Sequence, residues 1–117
     1  MSAADYRKRV EKAMSEAEWQ ADVVSKATTL GWWCYHTHDA RRSESGWPDL
    51  VLIRDRRIVF AELKSMRGSP SPAQVMVLGL LRVVAEFVNV ATGVDTIAVR
   101  TWRPSDVDDV IRTLATR

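Results

Sequence analysis

"GWPDLVLIRDRRIVFAELKS", residues 46–65, decides how the chain folds. One apolar run, Leu50 to Ile53, opens on the carboxylate of Asp49. The chain then crosses Arg54-Asp55-Arg56-Arg57 and returns as Ile58 to Ala61, ending in Glu62-Leu63-Lys64. This pattern predicts a hairpin with strands over 49–54 and 57–63 and Asp55-Arg56 as a two-residue turn. In that register Arg54 faces Arg57, Leu50 faces Ala61 and Asp49 faces Glu62. A slip of one residue would set Leu50 against Glu62 and turn one arm over, which a buried hairpin resists. Opposed residues hold their Cβ atoms about 5 Å apart on one face. Lys64, two residues beyond Glu62, shares that face. Both arms are apolar on both faces, which predicts mid-sheet strands covered on each side. Arg54 and Arg57 meet at what this reading takes as an exposed turn, where repulsion is weak.

Working outward, Ser15-Glu16-Ala17-Glu18 fits a capping box with Ser15 as N-cap. Trp19, Val23, Val24, Ala27 and Leu30 continue a helix that Gly31 can end. "WWCYH", 32–36, reads as a strand and 37–48 as a loop. After the loop "RGSPSP", 67–72, Ser71-Pro72-Ala73-Gln74 starts another helix. Val75, Leu78, Leu81, Val84 and Val88 carry it at helical spacing. Thr96–Trp102 alternates as a strand, and Ser105-Asp106-Val107-Asp108-Asp109 opens a last helix with acids at its positive end. Residues 1–13 read as an N-terminal arm or extra helix, and 14–117 as one domain. The fold class that follows is α/β, of order α-β-β-β-α-β-α: a mixed central sheet between helical layers.

The chain has 117 residues, enough for a core without staples, and its 46% hydrophobic and 27% charged composition is ordinary for a soluble protein. A lone cysteine, Cys34, excludes an internal disulfide and fits a reducing cytoplasm. The charged N-terminus is not a signal peptide. The apolar stretches look interrupted short of the roughly 20 residues a spanning helix needs, so no membrane partner is expected. No phosphate-binding glycine loop is present, which argues against a nucleotide cofactor. Net charge is only +2, but a pI near 9.0 leans towards a polyanionic partner.

The acids at the hairpin's open end carry the chemistry. Two carboxylates so close repel, and one has its pKa raised unless a cation intervenes. Lys64 can answer that need as a plain ion cluster. A divalent metal can answer it too, since Mg²⁺ accepts a few hard oxygen ligands while keeping several waters. Such an ion makes water a better nucleophile and absorbs charge on a phosphoryl oxygen, with Lys64 stabilising the developing charge. Spacing alone leaves both readings open.

Pro48-Asp49, twelve residues, then Glu62-Leu63-Lys64 resembles the PD-(D/E)XK nuclease signature. "SEAEWQ", "GWWCYHTHDARRSESGWPDLVLIR", "FAELKS", "SPAQ" and "WRPSD" together resemble the virus-type replication-repair nuclease (VRR-NUC) family. That family includes stand-alone phage and bacterial proteins similar in fold to Holliday-junction resolvases. The resemblance implies a three-layer α/β/α restriction-endonuclease-like core and a Mg²⁺- or Mn²⁺-dependent endodeoxyribonuclease acting on branched DNA such as Holliday junctions or flaps. It implies Asp49 and Glu62 as metal carboxylates, the Leu63 backbone carbonyl as a further ligand, and Lys64 as the catalytic lysine. A glutamate on the first core helix belongs to the pattern. Glu16 and Glu18 compete for it, and Glu16 is preferred because Glu18 is engaged in the capping box and Glu16 shares a face with Gln20. Gln20 and Gln74 match site-supporting glutamines, though Gln74 also fits as the capping partner of Ser71. His36, Arg41, Arg42, Ser43 and Arg67 would contact DNA, and a homodimer would engage two strands. Trp47 replaces a usual phenylalanine, and the stretch from Gln74 to Trp102 is longer than usual, which leaves the end of that helix open.

Cys34, His36 and His38 alternate and raise the thought of a zinc site, but a fourth ligand and standard spacing are wanting. Trp19, Trp32, Trp33 and Trp102 read as core.

Overall fold

The computed structural model describes residues 1–37 and 45–116. Three of its helices begin on the same device. Ser2, Ser15 and Ser71 each accept a hydrogen bond from the third helical residue, whose side chain answers the serine N–H. These start α1 (Ala3–Ala13), α2 (Glu16–Thr29) and α3 (Pro72–Thr92). Gly31, at φ +87°, lets the chain leave α2 for β1 (Trp33–His36). β2 (Leu50–Arg54) and β3 (Arg57–Leu63) form the hairpin in the predicted register, from Leu50 opposite Ala61 to Arg54 opposite Arg57. Asp55 in the turn takes the left-handed conformation at φ 53°. β4 (Ile97–Trp102) follows α3, then a 3₁₀ turn (Pro104–Asp106) and α4 (Val107–Ala115).

The sheet runs β1-β2-β3-β4, antiparallel except for β3 and β4, which are parallel and joined through α3 as a crossover. α2 and α4 cover one face. Trp19, Val23 and Ala27 from α2 meet Leu50, Leu52, Val59, Ala61, Leu63, Ala98 and Trp102 from the sheet and Val110 and Leu114 from α4. On the other face Leu78 and Ala85 of α3 pack with Val99, Phe60 and Ile97. The result is the three-layer α/β/α core with a mixed sheet, in the element order read from the sequence.

Four readings need correction. α3 lies over β3 and β4, so the hairpin is not covered equally on both sides: Ile53 is exposed, and so are Trp33 (62%) and Tyr35 on β1, with Trp33 no core residue. α3 is one unbroken 21-residue helix, the one described helix long and apolar enough, by length and composition alone, to cross a membrane. Its inner side nonetheless packs on the sheet. The last helix begins after the 3₁₀ turn, at Val107.

The fourth concerns the turn arginines, which are not solvated. Arg54 is buried, and its Nη atoms donate to the carbonyls of Leu30, Leu114 and Thr116. Arg57 donates to Asp95, Thr113 and Thr116 carbonyls, and burial lowers its pKa. Both guanidiniums lie over the Trp32 ring, at 4.6 and 5.6 Å. They satisfy the orphan carbonyls at the ends of α2 and α4.

Candidate active site

The loop into β2 is pinned at Gly46, whose φ is +95° and where an added Cβ would collide with the Ala73 carbonyl at the start of α3. Trp47 then packs edge-on to Phe60, 5.7 Å between centroids, and Pro48 is buried. Asp49 stands one step before β2, its carbonyl accepting from the Thr37 N–H at 3.1 Å. Its Oδ2 accepts from the Leu63 N–H at 2.7 Å, which draws the carboxylate across to β3 beside Glu62.

Glu62 is fully buried, and neither carboxylate oxygen has a hydrogen-bond donor within the protein. Burial, and then the adjacent Asp49 carboxylate, push its pKa up to about 9, against the pull of Lys64; Glu16 adds a smaller push upward. Lys64 continues the strand, with its N–H on the Trp102 carbonyl at 3.1 Å. The Trp19 indole N–H reaches the same carbonyl at 3.0 Å. That shared acceptor ties the first turn of α2 to the end of β3. Across this junction Lys64 Nζ lies 3.8 Å from Glu16 Oε1. Glu18 is held in the cap instead, its Oε1 accepting from the Ser15 N–H at 3.1 Å, which keeps its carboxyl below the usual range.

The remaining candidates are dispersed. Gln20 is half-buried one turn beyond Glu16. Gln74 closes the α3 capping box, with Oε1 accepting from the Ser71 N–H at 2.8 Å. His36 is half-buried at the end of β1, opposite Leu50. Arg67 is exposed on the turn after Lys64. Arg41, Arg42, Ser43 and His38 lie outside the described residues. Cys34 Sγ is near Thr28 Oγ1 and the Trp32 carbonyl, at 3.8 and 3.7 Å. Sequence reasoning passed over Arg103, whose Nη1 donates to the Ser65 and Gly68 carbonyls at 2.6 and 2.5 Å and so fixes that turn. Nothing in its local pattern marks it, because both acceptors are far away in the chain.

Among the described residues no group of three or more His, Cys, Asp or Glu side chains could hold a metal ion. The chemistry of the pair still fits a hard divalent cation. A buried carboxyl without donors, next to a second carboxylate, is held protonated, and a divalent cation can take the place of that proton; Mg²⁺ needs only one or two protein carboxylates because it retains water.

No family model and no curated protein sequence matches the chain. Among solved structures, one described as a VRR_NUC domain superposes with a TM-score of 0.62 at 24% identity, covering 86% of this chain and 97% of that one. This chain has the VRR_NUC fold. It is a three-layer α/β/α architecture, and the hairpin with Asp49 and Glu62 is part of its central sheet.

Proposed function

We propose that the protein is a Mg²⁺- or Mn²⁺-dependent DNA endonuclease that hydrolyses phosphodiester bonds, with branched DNA such as Holliday junctions or flaps as substrate. The observation that carries this reading is the Glu62 carboxylate, buried and without a donor, beside Asp49 and Lys64. Asp49 and Glu62 would hold the ion, with the Leu63 carbonyl adding a ligand. The bound ion supplies Lewis acidity and a more acidic water. Leu63 keeps Asp49 in place through its N–H. Lys64 presents a cation to the attacked phosphate and to the charge that builds as water oxygen bonds to phosphorus and the P–O bond breaks. Glu16 orients Lys64 through their ion pair. His36, Arg41, Arg42, Ser43 and Arg67 are proposed to contact the DNA backbone.

A homodimer is part of the proposal, supported by the outer stripe of α3, where Met76, Leu80, Val83, Phe87 and Val90 are all exposed. The cytoplasm is the proposed compartment.

The test is direct. Purified protein is incubated with labelled four-way junction, flap and plain duplex, in Mg²⁺, Mn²⁺ or chelator, and the products are mapped. The reading expects metal-dependent cuts, favouring branched substrates. Binding without cleavage in any metal would reduce the protein to a nucleic-acid-binding module.

A further inference from the structure

The nuclease core is formally neutral. Residues 1–13 hold four of the 17 Lys and Arg and two of the 15 Asp and Glu, which leaves 13 of each sign in residues 14–117. The whole net charge of +2 therefore resides in the segment that forms α1. A polyanion meets no net attraction from the core, so where these cations point matters.

α1 is two-sided. Tyr6, Val10 and Met14 line a cleft with Trp19, Pro104 and Val107, which seats the helix against the 3₁₀ turn and the start of α2. Arg7 is engaged on this side, with Glu11 at 3.2 Å and Asp108 at 3.8 Å. Lys8, Arg9 and Lys12 lie on another side, grouped with Asp5 around a shallow hollow. They are exposed and make no ion pair among the described residues. Asp5 is committed to the N-cap, its Oδ2 accepting from the Ser2 N–H at 3.4 Å.

The seat of α1 is also the end of the sheet that carries the candidate site. The 3₁₀ turn leaves β4 just after Trp102, where parallel β3 ends at Leu63 and Lys64 follows. Lys12 is four residues before Glu16, so their Cα atoms lie within about 14 Å. Lys12 thus stands near the glutamate that contacts Lys64, with Arg9 and Lys8 within one further turn of α1.

We infer that α1 is a DNA-backbone arm in which Lys8, Arg9 and Lys12 bind phosphates of the duplex flanking the scissile bond. The inference rests on the proposed nuclease function. Its contacts are to phosphate, so they add affinity and register without base preference.

The experiment measures binding of a fluorescein-labelled duplex and a labelled four-way junction in chelator across a KCl series, for the native chain and the Lys8→Ala/Arg9→Ala/Lys12→Ala variant. α1 has no buried residue, so the variant keeps its fold, checked by circular dichroism. The slope of log K against log[KCl] should flatten by about 3, roughly one unit per lost phosphate contact. In Mg²⁺ its KM should rise about tenfold or more with kcat unchanged, as for binding shared by ground and transition states. Lys8→Arg/Lys12→Arg should retain the native slope. An unchanged slope and KM in the alanine variant overturn the arm while leaving the nuclease standing. A native chain that neither binds nor cuts any of these DNAs overturns the nuclease reading itself.

Discussion

The Leu63 N–H donates to Asp49 Oδ2 at 2.7 Å, so the strand that carries Glu62 also holds the carboxylate facing it. Position and charge of Asp49 can be separated by substitution. Asp49→Asn keeps an oxygen for the Leu63 N–H but removes the charge, so cleavage should fall by at least about 100-fold with stability unchanged. Asp49→Ala should lose the same activity and also leave that N–H without an acceptor, at about 1–3 kcal/mol. Paired cleavage assays and urea melts separate the two. Native-like cleavage by Asp49→Asn would remove Asp49 from the chemistry.

Glu62 makes stability depend on pH in an unusual direction. Its folded pKa of about 9 lies above the ordinary 4.5, so between these values the folded, metal-free chain binds the extra proton. Stability is therefore fully present below about 4.5 and falls as pH rises towards about 9, by at most about 6 kcal/mol. A divalent cation must displace that proton, so its stabilisation should grow with pH. Urea unfolding in chelator from about pH 6 to about pH 8 should show the midpoint falling, Mg²⁺ should reverse the trend, and Glu62→Gln should flatten it. A midpoint independent of pH in chelator would contradict the buried, donor-free carboxylate.

The hairpin register was legible because a two-residue turn and alternating side-chain direction leave one pairing that buries Leu50, Leu52, Val59 and Ala61 together. The opposition of Asp49 and Glu62 follows from it. The helix starts were legible because a capping box is local. Arg54 and Arg57 were not, since the carbonyls that Arg54 serves lie 24 to 62 residues away and appear only once α2 and α4 close over the sheet. The exposure of Trp33 and Tyr35 was hidden for a related reason: a strand's apolar pattern records what it can bury, while α3 decides what it does bury by crossing over β3 and β4. The loop bearing Arg41, Arg42 and Ser43 lies outside the described residues.

Arg54 offers a test of structure apart from chemistry. Arg54→Ala strands the Leu30 carbonyl, takes one of two donors from each of the Leu114 and Thr116 carbonyls and removes the nearer cation from the Trp32 face, so it should destabilise by about 2–3 kcal/mol. Arg56→Ala, at the exposed turn, should change stability by less than about 0.5 kcal/mol. Denaturant melts check both, and cleavage below the melting range should stay native in each. Equal effects from the two substitutions would contradict the capping role.

The outer side of α3 leads to a prediction about assembly. Met76, Leu80, Val83, Phe87 and Val90 recur at alternating spacings of four and three, the pattern of a seam that packs on another helix. Phe87 is 75% exposed and Val90 77%. Together these side chains form one contiguous apolar stripe along the helix, the kind of exposed patch that marks an interaction site. Arg82 and Glu86, a turn apart and opposite in sign, suit an antiparallel copy of the same helix, which would set each arginine towards its partner's acid. Val83→Arg with Phe87→Asp should therefore yield a monomer by sedimentation equilibrium with helicity retained, because neither side chain packs in the core. It should also lose paired cuts on a four-way junction while retaining single nicks. A native chain that sediments as a monomer, or a variant that stays dimeric, would rule out the α3 seam as the interface.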